Sequence, residues 1–378
     1  MTEQPMIPAA KPLIGEDERA AVDRVLRSGM VAQGPEVAAF EGEFGDQLVA
    51  GRTCVAVNSG TSGLHLGLLA CGIGAGDEVI VPSFTFAATA NAVALTGATP
   101  VFADISPDTF NLDPESVRAA LTDRTAAVMP VHLYGHPADM DALRAVTAEH
   151  GVQLFEDAAQ AHGATYHGTP VGRFGSFAMF SLYPTKNMTS GEGGMVACAD
   201  EEIARGVRLL RNQGMEKQYA NEVIGLNNRM TDIHAAIGRV QLTKVGAWTE
   251  ARQANARWLD EHLAGVDGVV VPPVREGCTH VYHQYTVRID GATGEQRDEV
   301  VAALREEHHV GCGVYYPTPN HELVSLARFA PAGELPETAR AAAEVISLPV
   351  HPSLTEQDLE RVADAVGAVV RAGAGAGA

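Results

Sequence analysis

Residues 53–83 read TCVAVNSGTSGLHLGLLACGIGAGDEVIVPS, and this stretch decides the fold. TCVAV is apolar without alternation, GTSG makes a turn, and Leu64, Leu68 and Leu69 follow at helical spacing. Gly72, Gly74 and Gly76 then lead into a second apolar run, EVIV. Two continuously apolar runs flanking a helix describe strands covered on both faces, which is the signature of a mainly parallel sheet. The three glycines are not a dinucleotide fingerprint, because they follow a helix and open a strand, the reverse of what that motif requires. Five further runs, TPVFADI, TAAVMPVHLYG, VQLFEDAA, SFAMFSL and GGMVACA, carry the pattern to about residue 198. The expectation is an α/β domain whose ligand lies beyond the carboxyl ends of the strands.

The pattern changes near Thr231. Thr231 is placed to cap a long helix with Ile233, Ile237, Val240 and Val245 inward, running towards Trp258. YHQYTVRI then alternates like a strand with Tyr285, Val287 and Ile289 on one face. EQRDEVVAALREEH reads as a helix, GCGVYYP as another strand, and Thr355 with Asp358 as the start of a last helix burying Leu359, Val362 and Val366. The expected division is a large α/β domain over 1–248, a smaller α+β domain over 249–370, and a low-complexity, mobile tail over 371–378.

Hydrophobic residues at 46% and charged residues at 20% describe an ordinary globular chain rather than a disordered one. The first twenty residues carry Glu3, Glu16, Asp17 and Glu18 without an apolar block, and no run approaches a membrane span, so a cytoplasmic protein is expected. A net charge of −20 disfavours nucleic acid and anionic membranes as partners. Cys54, Cys71, Cys198, Cys278 and Cys312 show no close pairing, which argues against a disulfide framework or a structural zinc site.

Four features carry chemistry. The Gly60-Thr61-Ser62 turn opens a helix, where free N–H groups and hydroxyls suit a phosphate; a plain helix cap uses the same residues. Glu156 and Asp157 end an apolar strand, so at least one of them requires a cation. Phe84 and Phe86 follow another strand end, either as core or as a wall for a flat ligand. His132 and His136 have zinc-ligand spacing, but Gly135 and Pro137 forbid the helix that such a pair needs, and no metal is expected. Lysine is scarce in this chain, with only Lys11, Lys186, Lys217 and Lys244, and Lys186 stands between FSLYPT and a glycine cluster. Its position before the glycines excludes a P-loop. A phosphate cup, an aromatic wall, a strand-end aspartate and a strand-end lysine together suit pyridoxal 5′-phosphate, with Asp157 on the ring nitrogen and Lys186 in a Schiff base.

With NSGTSGLHL, GDEVIVPSFTFAATANAV, FEDAAQAHGA, FSLYPTKNMTSGEGGMV and GLNNRMTDIHAAIG in that order, the chain resembles the DegT/DnrJ/EryC1/StrS sugar aminotransferases over nearly its whole length. The resemblance implies the fold of type I pyridoxal-phosphate enzymes. It further implies Lys186 as the Schiff-base lysine, Asp157 on the pyridinium, Gly60, Thr61 and Ser181 on the phosphate, Phe86 on the ring face and Gln160 beside the ring hydroxyl. Asn227 matches an asparagine that reaches the phosphate of a neighbouring subunit, so the implied protein is a homodimer with shared sites. Leu226 stands where the family usually has tyrosine, and Asn228 where an aromatic is frequent. A related branch of sugar dehydratases carries histidine at the lysine position, and this chain keeps the lysine.

The implied reaction moves an amino group from L-glutamate to a nucleotide-linked keto sugar, the first expectation being C4 of a dTDP-4-keto-6-deoxyhexose. C3 keto sugars and keto-inositols are the neighbouring alternatives, and a non-catalytic regulatory protein is the rival outside the enzymes. Tyr183, Arg229, Tyr316 and His321 are the candidate substrate residues.

Overall fold

The computed structural model describes residues 5–376. Two four-stranded sheets form its larger part. One runs Thr99–Ala103, Glu78–Pro82, Thr125–Val128, Gln153–Leu154, all parallel. The other runs Thr53–Val57, Gly194–Cys198, Phe177–Ser181, Glu156–Asp157. The segment 153–157 belongs to both, and Val131 bridges to Asp157 in parallel, so the sheets make one continuous surface. Only Gly194–Cys198 runs against its neighbours.

Continuous apolarity has the expected cause. In Phe177–Ser181, Phe177 and Met179 enter a core with Leu64, Val79 and Phe155 on one face, while Ala178 and Phe180 enter another with Phe40, Phe44 and Leu242. Burying each such side chain stabilises the fold by about 1.5–3 kcal/mol. Ser59 caps the helix Gly60–Ala70, its Oγ accepting the Ser62 N–H at 3.2 Å.

The long helix Asp232–Leu263 starts at Thr231, whose Oγ1 accepts the His234 N–H at 3.3 Å. Asp232 in turn accepts N–H groups from Gly34 and Val37, which anchors the helix Pro35–Leu48. The inward stripe differs from the expectation: Ala235, Leu242 and Val245 enter the large core, whereas Ile233 and Val240 are half-buried beneath the helix Glu16–Ser28. Gly238 lets the helix approach closely, because a Cβ on it would lie 2.6 Å from the Phe40 ring. Further along, Ala256, Leu259 and Leu263 join a second core. The division proposed at 248/249 thus falls inside one helix that serves both cores.

That second core surrounds a three-stranded antiparallel sheet of Val269–Val270, Tyr285–Ile289 and Val345–Leu348. The helix Gly294–Glu306 follows a Thr293–Gln296 capping box, and Thr355 and Asp358 bond reciprocally before the helix Glu356–Ala376. The strand expected at 311–317 is absent: Val310 and Gly313 make single bridges to Ile7 and Ser347, and Tyr316 takes φ +62°, which breaks extended pairing. Val345–Leu348 fills the edge instead. Within the expected tail, 371–376 continue the last helix; 377–378 lie outside the described residues. Among the described residues no helix is long and apolar enough to cross a membrane.

Candidate active site

A cavity of about 410 Å³ opens at the carboxyl ends of the parallel strands. Its wall includes Gly60, Thr61, Phe86, Asp157, Gln160, Ser181, Tyr183, Lys186 and Tyr316. Residues separated by more than 250 positions therefore meet in one place.

At one end, the first turn of Gly60–Ala70 leaves the Gly60 and Thr61 N–H groups without intrahelical partners. Gly60 packs so near Ser181 that a Cβ would lie 3.1 Å from the serine Cβ, leaving room for the Ser181 hydroxyl but not for a side chain. This is a cradle for an anion, reinforced by the helix dipole. Ser62 does not line it; its hydroxyl lies 2.9 Å from that of Ser59, and Ser59 lines the cavity in its place.

In the middle sit the two strand-end acids. Glu156 faces away from the cavity and accepts N–H groups from Gly172, Phe174 and Gly175 at 2.7–2.9 Å, together with the His132 ring at 3.1 Å. Ala138 N–H donates to His132 Nδ1, so Nε2 is the nitrogen that donates to Glu156. Burial pushes the Glu156 carboxyl up, but His132 and these N–H groups outweigh it and hold it below the usual range. Glu156 is thus satisfied by donors, and it fixes the strand that presents its neighbour.

Asp157 faces the cavity. Thr89 Oγ1 donates to Oδ2 at 2.8 Å and Ala159 N–H to Oδ1 at 3.1 Å. Burial nevertheless pushes its carboxyl above the ordinary value, against the pull of Thr89, Ala159 and Lys186. A buried carboxylate that makes no ion pair among the described residues suits a ligand bringing a positive N–H group. Burial also lowers the Lys186 amine to about 8, opposed by Asp157. Asn187 anchors the loop through Nδ2, which donates to Val281 O at 2.8 Å, and Gly193 turns it back at φ +152°. A side chain at Gly193 would strike Met230 Cε at 2.5 Å.

Phe84 is fully buried, whereas Phe86 is 64% exposed on the cavity wall, which resolves the two readings of that pair. Tyr183, 48% exposed, lies at the mouth. Arg229 and His321 do not line the cavity: Arg229 donates to Asn212 Oδ1 at 2.9 Å, and His321 Nδ1 lies 2.6 Å from Ser83 Oγ. Asn227 is exposed and also lies off the cavity of its own chain.

Sequence reasoning missed Thr89, His283 and Gln284. Thr89 lies in the same SFTFAATANAV stretch that drew attention to the phenylalanines. His283 and Gln284 come from the segment leading into the second core, where YHQY was read only as a strand; there Tyr282 takes φ +44° and the strand starts at Tyr285. Gly135 lets this segment in, because a Cβ on it would lie 2.8 Å from Val281 and 3.1 Å from the His283 nitrogen.

Buried histidines set an acid limit on stability. Burial holds His162 at about 3 and His136 at about 4, while unfolded histidine takes its proton near 6.5. Below about pH 6.5 the unfolded chain therefore binds more protons, and stability falls by about 1.4 kcal/mol per pH unit for each such histidine. Urea midpoints measured from pH 7 to 4 are expected to fall steadily. His162→Phe, among Phe44 and Phe180, should remove one histidine's share of that slope.

The features fit pyridoxal 5′-phosphate: an anion cradle, a carboxylate lacking a cation, an exposed aromatic face and an amine of lowered basicity. The sequence pattern of the DegT/DnrJ/EryC1/StrS aminotransferase family matches residues 12–367. The dTDP-3-amino-3,4,6-trideoxy-alpha-D-glucose transaminase of Streptomyces venezuelae is 42% identical, covering 96% of each chain. A protein named pleiotropic regulatory protein from Geobacillus stearothermophilus is 41% identical over 91% of this chain and 92% of its own. The crystal structure of S. venezuelae DesV in complex with a ketimine intermediate superposes with a TM-score of 0.90 at 41% identity, covering 96% of this chain and 99% of that one. The chain belongs to the DegT/DnrJ/EryC1/StrS aminotransferase family and is a pyridoxal-phosphate-dependent sugar aminotransferase of the type I fold.

Proposed function

We propose that the enzyme transfers an amino group from L-glutamate to a keto-6-deoxyhexose carried on a nucleoside diphosphate, dTDP first among carriers. The observation that carries this reading is the convergence of Lys186 and Asp157 in one cavity with an anion cradle at its end. When bound, pyridoxal 5′-phosphate supplies an aldehyde carbon for amines and a ring that accepts the electron pair released at the substrate carbon. Asp157, oriented by Thr89 and Ala159, holds a ring N–H. Gly60, Thr61 and Ser181 hold the phosphate, and Phe86 covers a ring face.

Lys186 Nζ has two tasks. It anchors the cofactor, and its free amine takes the Cα proton of the amino donor, later delivering one to the sugar carbon that receives nitrogen. An amine with a pKa near 8 can do both near neutral pH, which an always-charged guanidinium cannot. Tyr183 at the mouth is the proposed sugar contact. Asn227 of the partner subunit is proposed to complete the phosphate site in a homodimer. The exposed Tyr219, Ile224 and Leu226 beside Asn227 support burial of that loop against a second copy.

The relative from S. venezuelae is named for a sugar with its amine at C3, so C3 is tested beside the C4 first expected. Incubation with L-glutamate is expected to bleach the yellow protein. Addition of dTDP-3-keto- and dTDP-4-keto-6-deoxyhexoses should restore the colour and yield one aminated sugar, identified by mass and NMR. Amination of a keto-inositol alone contradicts the nucleotide-sugar reading. A protein that stays colourless with added cofactor supports the regulatory alternative, which the name of the G. stearothermophilus relative raises.

A further inference from the structure

The amino donor brings a carboxylate into a cavity that holds little positive charge. Among the described residues no arginine lines its wall, Lys186 is the one lysine there, and Asp157 and Glu192 are its acids. The carboxylate of an α-amino acid is bonded to the same carbon whose proton Lys186 takes, so the groups that bind it must stand beside Lys186. His283 stands there. It lines the same cavity, is 6% exposed, and has Lys186 as the strongest charged neighbour of its ring. Asn187 ties the two segments together, its Nδ2 donating to Val281 O at 2.8 Å.

Two buried side chains in this place lack partners. His283 Nδ1 is enclosed and meets no hydrogen-bond partner. Arg252, buried on the long helix, makes no ion pair among the described residues; its Nη1 donates to Tyr282 O at 3.0 Å, one peptide from His283, and its Nε is unpartnered. Burial lowers the guanidinium to about 10, so it stays charged at neutral pH. Burial, aided by Lys186, Arg252, His162 and His280, pushes the His283 imidazole well below its ordinary value, so the ring is neutral and carries a single N–H. A neighbouring cation favours a lone pair on the enclosed Nδ1, which puts the proton on Nε2, the nitrogen left to the cavity. Gln284 presents a side-chain amide on the same wall, and its backbone N–H is held by Tyr134 O.

We propose that His283 Nε2–H and the Gln284 amide, with the buried charge of Arg252 nearby, bind the α-carboxylate of the amino donor. The inference rests on the aminotransferase reading given above and names the groups that hold its first substrate. A buried cation without a counter-charge is costly, and an anion brought by the substrate offsets that cost. The same arrangement sets a preference among donors, because an α-amino acid makes the contact and a simple amine does not.

The test is His283→Phe, which keeps a ring in place and removes both nitrogens. The variant reconstituted with pyridoxal 5′-phosphate is mixed with L-glutamate, and the loss of colour is followed at increasing donor concentration, so that this half of the reaction is read alone. The concentration giving half the maximal rate should rise about tenfold or more, the scale of a lost hydrogen bond to a charged group, while KM for the keto sugar keeps its parental value. His283→Gln, whose amide N–H can stand in for Nε2–H, should recover most of the loss. A parental half-maximal concentration in His283→Phe, equal rises for donor and sugar, or a loss that His283→Gln does not reduce overturns the inference. A second measurement uses the unaltered holoenzyme with isotope-labelled histidine, in which the magnetic resonance signals of His283 should show a neutral ring with its proton on Nε2. A proton on Nδ1 overturns the inference even where the variants fail to fold. A wild-type protein that no α-amino acid bleaches overturns the aminotransferase reading itself, and this inference with it.

Discussion

Lys186→Ala is expected to retain pyridoxal 5′-phosphate without a covalent bond and to lose at least ~10³-fold in turnover, because one side chain serves as both nucleophile and proton carrier. The cradle of Gly60, Thr61 and Ser181 and the carboxylate of Asp157 do not depend on the lysine, so binding should survive. Removing a partly buried amine also relieves the desolvation that lowers it to about 8, so the cofactor-free variant should fold at least as well as the parent. Dialysis, absorbance and single-turnover measurement with L-glutamate check these outcomes together. Wild-type turnover in the variant contradicts the assignment.

Asp157→Asn acts on the ring instead. The amide fills the same space, and one of its atoms still accepts from Thr89, but the charge opposite the ring nitrogen is gone. Electrostatic groups placed in dry sites carry large weight, and a loss of about 10²–10³-fold in Cα deprotonation is expected. Its signature is a slowed deprotonation step with the covalent bond to Lys186 still formed. Deuterium at Cα of the donor should then give a full kinetic isotope effect. Deprotonation at the parental rate refutes the ring-nitrogen role. Asparagine also removes a buried carboxylate whose pKa is pushed up by burial, so the substitution should not cost stability.

The parallel sheet was legible because its strands are apolar on both faces, as Phe177 through Phe180 demonstrate by dividing between two cores. Lys186 and Asp157 were legible because each stands at a strand end and each is chemically out of place there. Thr89 was not, since a threonine in an alanine-rich helix announces nothing until Asp157 arrives from 68 positions away. His283 and Gln284 were hidden for a similar reason. Their place depends on Gly135 admitting the segment 281–283, a contact that no local periodicity encodes. The misread strand at 311–317 has a local cause: GCGVYYP is β-rich in composition, yet Tyr316 is held in a left-handed conformation by Tyr134, Phe84 and Gln160. Propensity lost to tertiary packing there, at a residue drawn into the site. Ser62 was misplaced by a smaller margin, because Ser59 and Ser62 share one capping interaction and only one of them faces the cavity.

The most direct measurement is borohydride reduction of the protein reconstituted with pyridoxal 5′-phosphate, followed by proteolysis and peptide mass analysis. The account predicts a single added phosphopyridoxyl group on the peptide containing Tyr183 to Asn187, at Lys186. A group found on Lys11, Lys217 or Lys244, or no covalent addition at all, contradicts it.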